Sequence, residues 1–594
     1  MKKLLIILFG LGLNTAFAQT YTDYIGAGHA DGITVTSSDQ SGSSSAESTI
    51  DGEGMQADLF EASRFLAQST FGAPQVEIEA LATDLDFEGW IENEFTKPQT
   101  EYYSKMQEIW EEIIQMRQDA GQDISDIFGP YALHFNYTWW QNVITGDDQL
   151  RQRVAFALSQ LLVVSNESDI IDHAESSTTY YDVLMSNAFG NYKDLLMDVT
   201  LSVTMGYYLS HLDNPKEDVD ENIHPDQNYA REIMQLFTIG LYELNLDGTH
   251  KKDANGNDIP TYDQEDIVEM ANVFTGLGAG GIEDYVDWTD VPYFGIGFWS
   301  ASKTDAMVMY EDYHETKEKV LLKDVTLPAG QAGMLDIEQT VDFLFNHENV
   351  GPFVSYRLIQ RLVKSNPTKE YVARVATVFN NNGSGIRGDM KAIIKAILLD
   401  EEARECAPLQ DEFAPRLREP VLKYTHISKA MVLDSPFERY WMNGYGYNNQ
   451  VKQGVLWSPS VFNFYLPNHF PVGALSGNGL AAPEFKLHNT QTATGYINAV
   501  NNWTVWDGLM YSWEGDYGDV PVRLITTDLE ALADEPEKLI NELDVRFTHG
   551  QMTDETRTII RDAITPLEWG DYQWDRARLA LYLLFISPDY NIMR

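Results

Sequence analysis

Cysteine is nearly missing from this chain: Cys406 is the only one among 594 residues. A single thiol excludes an intrachain disulfide framework and every multi-cysteine zinc or iron–sulfur site. Basic residues are scarce as well, with 41 Lys+Arg against 90 Asp+Glu and a formal charge of −49. That balance leaves little positive surface for phosphate, so electrostatic binding of nucleic acid is disfavoured. After the first residues no apolar run approaches the ~20 residues that span a bilayer. The chain also has no Gly-x-Ser-x-Gly, no His-Glu-x-x-His and no Gly-x-x-x-x-Gly-Lys string. Their absence weakens serine-hydrolase, zinc-protease and nucleotide-binding readings. What remains is ordinary globular composition, 44% hydrophobic and 22% charged, which excludes disorder of the whole chain.

The first residues form a targeting signal. Met1-Lys2-Lys3 is basic, an apolar run covers Leu4 to Leu13, and Ala16-Phe17-Ala18 is a small-x-small cleavage site. Residues 1–18 are therefore expected to be a signal peptide, and the mature protein to be exported to the periplasm or the extracellular medium. Residues 19–56 are rich in Gly, Ser and Thr and predict a flexible arm. His29 falls in that arm, where a solvated tail residue is the simpler reading than a ligand.

Apolar residues then recur with a period of 3.6. Leu59, Ala62, Phe65 and Leu66 open the pattern, with Asp58 placed to cap the first turn. The same spacing predicts helices over 101–118, 150–164, 180–189, 192–201, 228–239, 264–274, 337–345, 350–363, 369–379, 389–399 and 576–585. Few segments alternate with period two, so the expected fold is a mainly α, multi-helix body over 57–594 with aromatic-rich irregular loops at about 434–520. One insertion departs from the helical pattern. Asp247-Gly248, Asn255-Gly256 and Ile259-Pro260 predict a small β-hairpin. Asp263 and Asp266 suit the first turn of the next helix, where carboxylates meet free amides. The oxygen-rich run Asp253, Asn255 and Asn257 also makes a weak calcium candidate, although position 264 is Gln264 where an EF-hand needs a bidentate acid.

Several strings go beyond composition. Ala62-Ser63-Arg64-Phe65-Leu66-Ala67-Gln68-Ser69-Thr70-Phe71-Gly72 and Asn228-Tyr229-Ala230-Arg231-Glu232-Ile233-Met234-Gln235-Leu236-Phe237 resemble motifs of the bacterial family called domain of unknown function 1800. Tyr313-His314 with Lys317, Pro352-Phe353 with Arg357-Leu358, Asp389-Met390-Lys391 and Ser587-Pro588-Asp589-Tyr590 continue the resemblance in order. It implies an exported helical protein with no established reaction. It also implies an association with a sulfatase-like protein of the family called domain of unknown function 1501, and hence work on envelope or extracellular polysaccharide. The family's Thr-Gly-Trp string is Thr275-Gly276-Leu277 in this chain.

The candidates for chemistry are charges set among apolar residues. Arg231 and Glu232 sit between Ala230, Ile233 and Leu236, where a charge must be paired or solvated. They read either as a bridge that locks helices together or as a site in which Arg64 and Arg231 hold an anionic ligand and Glu232 acts as acid or base. Asn228 is the expected N-cap of that helix. On a helix, His314 and Glu318 share a face, with Lys317 beside them, and form a second acid–base candidate. Asp169 and His173 repeat the spacing. Trp441 and Trp457 lie in the aromatic segment, whose flat rings among amides suit a sugar as well as a packed loop. Three readings stand: action on, or assistance in, polysaccharide processing with a sulfatase-like partner; a non-catalytic periplasmic scaffold or ligand-binding protein; or a calcium-stabilised adhesive protein. A pocket joining Arg64, Arg231, Glu232 and His314 favours a site, and the same residues closed into bridges favour a scaffold.

Overall fold

The structure, a computed structural model, describes residues 57–124, 129–286, 288–404, 416–435, 437–441, 444–506, 510–512 and 520–593. The expected signal peptide (1–18) and arm (19–56), Cys406, Trp513 and Tyr517 lie outside the described residues. The fold is mainly α, with small antiparallel sheets of two or three strands.

The periodic segments fold as expected because each buries one stripe. In α1 (Ala57–Ser69) the buried stripe includes Leu59, Ala62, Phe65 and Leu66. The helices α2 (Gln75–Ala82) and α3 (Phe87–Glu94) follow. Then α4 (Tyr102–Asp119) buries Tyr102, Met106, Ile109 and Ile113, one residue per turn, against α5 (Ala132–Thr145). Next come α6 (Gln149–Ser159), α7 (Ala174–Asn187) and α8 (Tyr192–Leu201). The helix predicted over 228–239 is α-helical only in α9 (Asn228–Glu232) and continues as a π-helix over Ile233–Thr238. There Thr238 Oγ1 donates to the Ile233 carbonyl at 2.5 Å, five residues back. The expected hairpin is present as bridges Tyr242↔Pro260, Leu244↔His250 and Lys252↔Asp258, with Gly256 at φ +86° in its turn. Asp263 and Asp266 then cap α10 (Gln264–Val273) reciprocally.

The second half contains α11 (Gly333–Asn346), α12 (Val350–Leu362), α13 (Lys369–Asn380) and α14 (Met390–Leu398). It continues with α15 (Pro420–Ala430), α16 (Gly444–Val451), α17 (Thr490–Thr504), α18 (Pro536–Leu543), α19 (Asp554–Ile564) and α20 (Tyr572–Ile586). The two ends of the body meet. Ser63 of α1 donates to the Val545 carbonyl at 2.6 Å, and the strand Arg416–Leu417 pairs antiparallel with Ile592–Met593.

Two helices are buried almost all round, and they decide where charge enters the core. In α6 every residue but Arg151 is buried, including Gln149, Gln152, Arg153 and Ser159. In α15 every residue but Lys429 is buried, including Lys423, Thr425, His426 and Ser428. A helix without a solvated face must find partners for its polar side chains inside the protein. Arg153 finds its acceptor on α12, which packs on α6, and His426 meets Arg418 just before α15.

Candidate anion-binding site

The C-terminal end of α12 is the anchor. The last carbonyls of a helix have no intrahelical donor and carry partial negative charge. At this end the Arg361 carbonyl accepts Arg153 Nη2 and Arg416 Nη1, both at 2.7 Å. Arg416 turns the rest of its guanidinium to two carboxylates: Nη2 donates to Glu419 Oε1 at 2.5 Å and Nε to Glu484 Oε1 at 3.1 Å. Glu419 Oε2 accepts Gln160 Nε2 at 2.6 Å and Gln453 Nε2 at 2.7 Å, and Ser365 Oγ donates to Glu484 Oε2 at 3.2 Å. Arg416, Glu419 and Glu484 are exposed by only 1%, 0% and 1%. Despite its burial, Glu419 is held below the ordinary glutamate range by the Arg416 and Arg361 guanidinium groups.

One side of this network opens on a cavity of about 50 Å³ lined by Gln160, Leu236, Phe353, Arg357, Arg361 and Tyr465 among others. Arg361 is 6% exposed and lies over the Tyr465 ring, 4.7 Å from its centroid. Its guanidinium makes no hydrogen bond or ion pair among the described residues. Arg357, one turn earlier on α12, donates to the neutral Gln360 Oε1 at 3.2 Å and packs over Phe353. Burial lowers Arg357 to about 10, and Arg361 acts in the same direction. Burial and Arg416 lower Arg153 to about 9, and Arg153 Nε and Nη1 have no acceptor among the described residues. Tyr465 Oη and Gln160 Oε1 are likewise buried without partners among the described residues. Arg361 and Arg416 thus act on Glu419 and Glu484, Arg153 acts on Glu419, and Arg357 adds a fourth guanidinium one turn away, an excess of positive charge inside a chain of net charge −49.

The lining holds guanidinium, phenol and amide groups but no serine, cysteine, histidine or carboxylate. Such a set can hold a carboxylate or sulfate oxyanion by charge-assisted hydrogen bonds. Tyr465 is the lining's one side chain of a type that serves as a nucleophile or general acid–base group. Leu236 reaches the wall from the π-helix, so the extra residue in that turn is what sets the segment's register at the cavity.

Residues 64–592 match the family model described as Protein of unknown function (DUF1800). The chain belongs to this family. No curated protein matches the chain, and no solved structure does. Within the matched residues, Arg357 and Leu358 fall on the cavity wall. The Thr275-Gly276 string serves a different purpose, because Gly276 has φ +86° and a Cβ there would lie 2.9 Å from the His314 amide nitrogen.

The residues singled out by sequence are dispersed over the family fold. His314 follows a short 3₁₀ turn in extended conformation, so it shares no helical face with Glu318. It is fully buried, with Nδ1 donating to the Thr275 carbonyl at 2.8 Å and Nε2 3.1 Å from Asp336 Oδ2. Lys319 Nζ donates to the same Asp336 oxygen at 2.6 Å, and Gln331 Nε2 to Oδ1 at 2.5 Å. Lys317 stays at the surface with Glu315 and Glu217. Asp169 accepts the Tyr207 hydroxyl, while His173 lies against Phe298 and Trp299.

Glu232 is buried beside Arg231, Tyr208 and Tyr262; burial pushes it up to about 7, and its Oε2 has no hydrogen-bond partner among the described residues. The expected Arg231 bridge is not formed: among the described residues Arg231 makes no ion pair. Asn228 is not the cap of α9, since Gln227 holds that position and Asn228 Nδ2 points to Ser210 Oγ at 3.4 Å. Arg64 is buried and donates to the Arg404 carbonyl at 3.0 Å. No hydrogen bond or ion pair among the described residues joins Arg64, Arg231, Glu232 and His314 into one pocket.

Trp441 is buried and stacks on Tyr137 with centroids 6.0 Å apart, and Trp457 is half-buried. Asp253 Oδ1 accepts the Asn255 and Asn257 amides at 2.8 Å, so that carboxylate oxygen shapes the turn. Among the described residues no group of three or more His, Cys, Asp or Glu side chains is arranged to hold a metal ion. No helix among them is long and apolar enough to cross a membrane. Sequence reasoning missed Arg361, Arg416 and Glu484. The usable signal was the i, i+4 pair Arg357 and Arg361 on an otherwise apolar helix face.

Proposed function

We propose that this protein is exported by cleavage after Ala18, and that its 57–594 body binds an anionic group of an envelope or extracellular polysaccharide. In this reading it assists a sulfatase-like partner of the family called domain of unknown function 1501 and performs no bond cleavage itself. The observation that carries the reading is the Arg361 guanidinium, buried in a cavity wall with no acceptor among the described residues. The carboxylates it acts on through space, Glu419 and Glu484, are bonded by Arg416, which leaves the Arg361 N–H groups for an incoming anion. A cavity of about 50 Å³ admits a single carboxylate or sulfate group and leaves the sugar ring outside. Phe462 and Leu466, 41% and 49% exposed, stand at the lining where a ring can cover them.

Calorimetry of the mature protein with sulfated, uronate-bearing and neutral oligosaccharides tests the proposal. Binding confined to the anionic members supports it, and equal binding or none across the panel overturns it. Fractionation of the native host tests export through the position of the mature chain.

A further inference from the structure

Across the Arg416–Glu484 pair from that site lies a second, smaller cavity of about 20 Å³, lined by Arg418, Lys423, Glu484, His488, Thr492 and Tyr496 among others. A water needs about 10–15 Å³ of such space, so this one has room for one or two waters or a linear triatomic molecule. Lys423 enters from the first turn of α15 and is 4% exposed. Its Nζ lies 4.4 Å from the Tyr496 ring centroid and makes no hydrogen bond or ion pair among the described residues.

Arg418 shares the cavity and is 3% exposed. Its guanidinium meets two imidazoles, His426 Nδ1 and His549 Nε2, and the Tyr590 ring at 4.6 Å. Its Nε–H has no acceptor among the described residues. The lining carboxylate, Glu484, is taken up by Arg416 and Ser365. Two basic side chains are therefore buried together with no carboxylate bonded to either among the described residues, an arrangement that penalises the second positive charge.

Burial, with Arg418 acting in the same direction, lowers Lys423 to about 7. The groups facing it are the Arg418 guanidinium, the Glu484 carboxylate, the Tyr496 phenol and His488, which is solvent-exposed at the lining, while the Tyr590 hydroxyl donates to the Lys423 backbone carbonyl. An amine that is largely neutral near physiological pH and buried beside a guanidinium with no bonded carboxylate among the described residues is an activated nucleophile. The cavity is too small for a sugar aldehyde or any larger carbonyl compound.

We propose that Lys423 is a carbon dioxide capture site and carries an Nζ-carbamate. The amine lone pair forms an N–C bond to the carbon of carbon dioxide, one C=O electron pair moves onto oxygen, and the amine proton leaves to solvent past His488. The product, a carbamate with one negative charge, gives Arg418 the counter-charge that the described residues do not provide. No oxidant, reductant or metal is required. This assignment stands independently of the proposed glycan site.

The test is ¹³C NMR of the full mature protein in ¹³C-bicarbonate at about pH 8, where an amine lowered in this way is largely neutral. The expected result is one carbamate resonance per chain, lost in Lys423→Arg and Lys423→Gln, together with a melting temperature that rises with bicarbonate in the native protein alone. Alkylation of the native protein with an oxonium reagent, followed by peptide mass mapping, needs no variant and is expected to tag Lys423. Absence of the resonance from folded native protein, its persistence in either variant, or a tag on other lysines alone overturns the proposal. Equal stabilisation by chloride or formate without a carbamate signal also overturns it and leaves a small-anion site.

Discussion

The Arg361 guanidinium lies 4.7 Å from the centroid of the Tyr465 ring and makes no hydrogen bond or ion pair among the described residues, and the buried Tyr465 hydroxyl has no partner among them. Both polar groups are buried in one cavity wall. Arg361 makes no direct ion pair among the described residues but helps to hold the buried Glu419 ionised, so Arg361→Met is expected to cost about 1 kcal/mol or less. The same substitution is expected to weaken anionic-glycan binding by about 10- to 100-fold, the value of one charge-assisted hydrogen bond. Urea unfolding and calorimetry on the same sample measure the two effects, and a large loss of stability counts against the site.

Arg416 gives the opposite expectation. It bonds Glu419 and Glu484 inside the core, so Arg416→Met leaves two buried carboxylates without their bonded counter-charge. A loss of about 3–5 kcal/mol is expected, with partial recovery when Glu484→Gln is added. A double-mutant cycle by chemical denaturation measures the coupling.

The His314 cluster is expected to behave as structure. Asp336→Ala removes the acceptor of Lys319, Gln331 and the His314 contact at once. It should destabilise the fold by about 3–5 kcal/mol, whereas Lys317→Ala, at the surface, should change stability by less than about 0.5 kcal/mol. Thermal unfolding of the two variants separates a scaffold from a solvent-facing catalytic pair.

Gly276→Ala is expected to cost about 1–3 kcal/mol. The position has φ +86°, and the added Cβ meets the His314 backbone at 2.9 Å. A drop in melting temperature without loss of glycan affinity in the surviving folded protein is the predicted pattern.

Glu232 sets a pH dependence. Its carboxyl is raised from 4.5 to about 7 by burial, so the folded state binds its proton more tightly than the unfolded state does. Stability from this group is therefore present near its ordinary titration range and falls as pH rises towards 7. Glu232→Gln is expected to flatten that part of the curve and to stabilise the protein at about pH 8 relative to the native chain. Denaturation midpoints at about pH 5 and about pH 8 compare the two slopes.

Much of the helical framework was legible because a helix is made by neighbours in sequence. The spacing of Tyr102, Met106, Ile109 and Ile113 carries its own burial pattern, and Asp263 with Asp266 marks a start within four residues. The helix over 228–239 was legible only in part. The shift from α to π at Ile233 changes backbone register without changing the apolar spacing that sequence displays. The helical face expected for His314 and Glu318 failed for a related reason: spacing of i, i+4 has meaning only once the segment is known to be helical, and this one is extended.

The sequence by itself therefore determined a mainly α fold, its family, most of the amphipathic helices and the hairpin, since local periodicity, capping and turn chemistry act over a few residues. The tertiary structure alone decided which charges meet. Arg153 and Arg416 reach one carbonyl from opposite sides, 208 and 55 residues away along the chain. Ser63 closes on Val545 across 482 residues. Coulomb energy and desolvation depend on distance through space and on burial, and neither quantity is carried by the order of residues until the helices have packed.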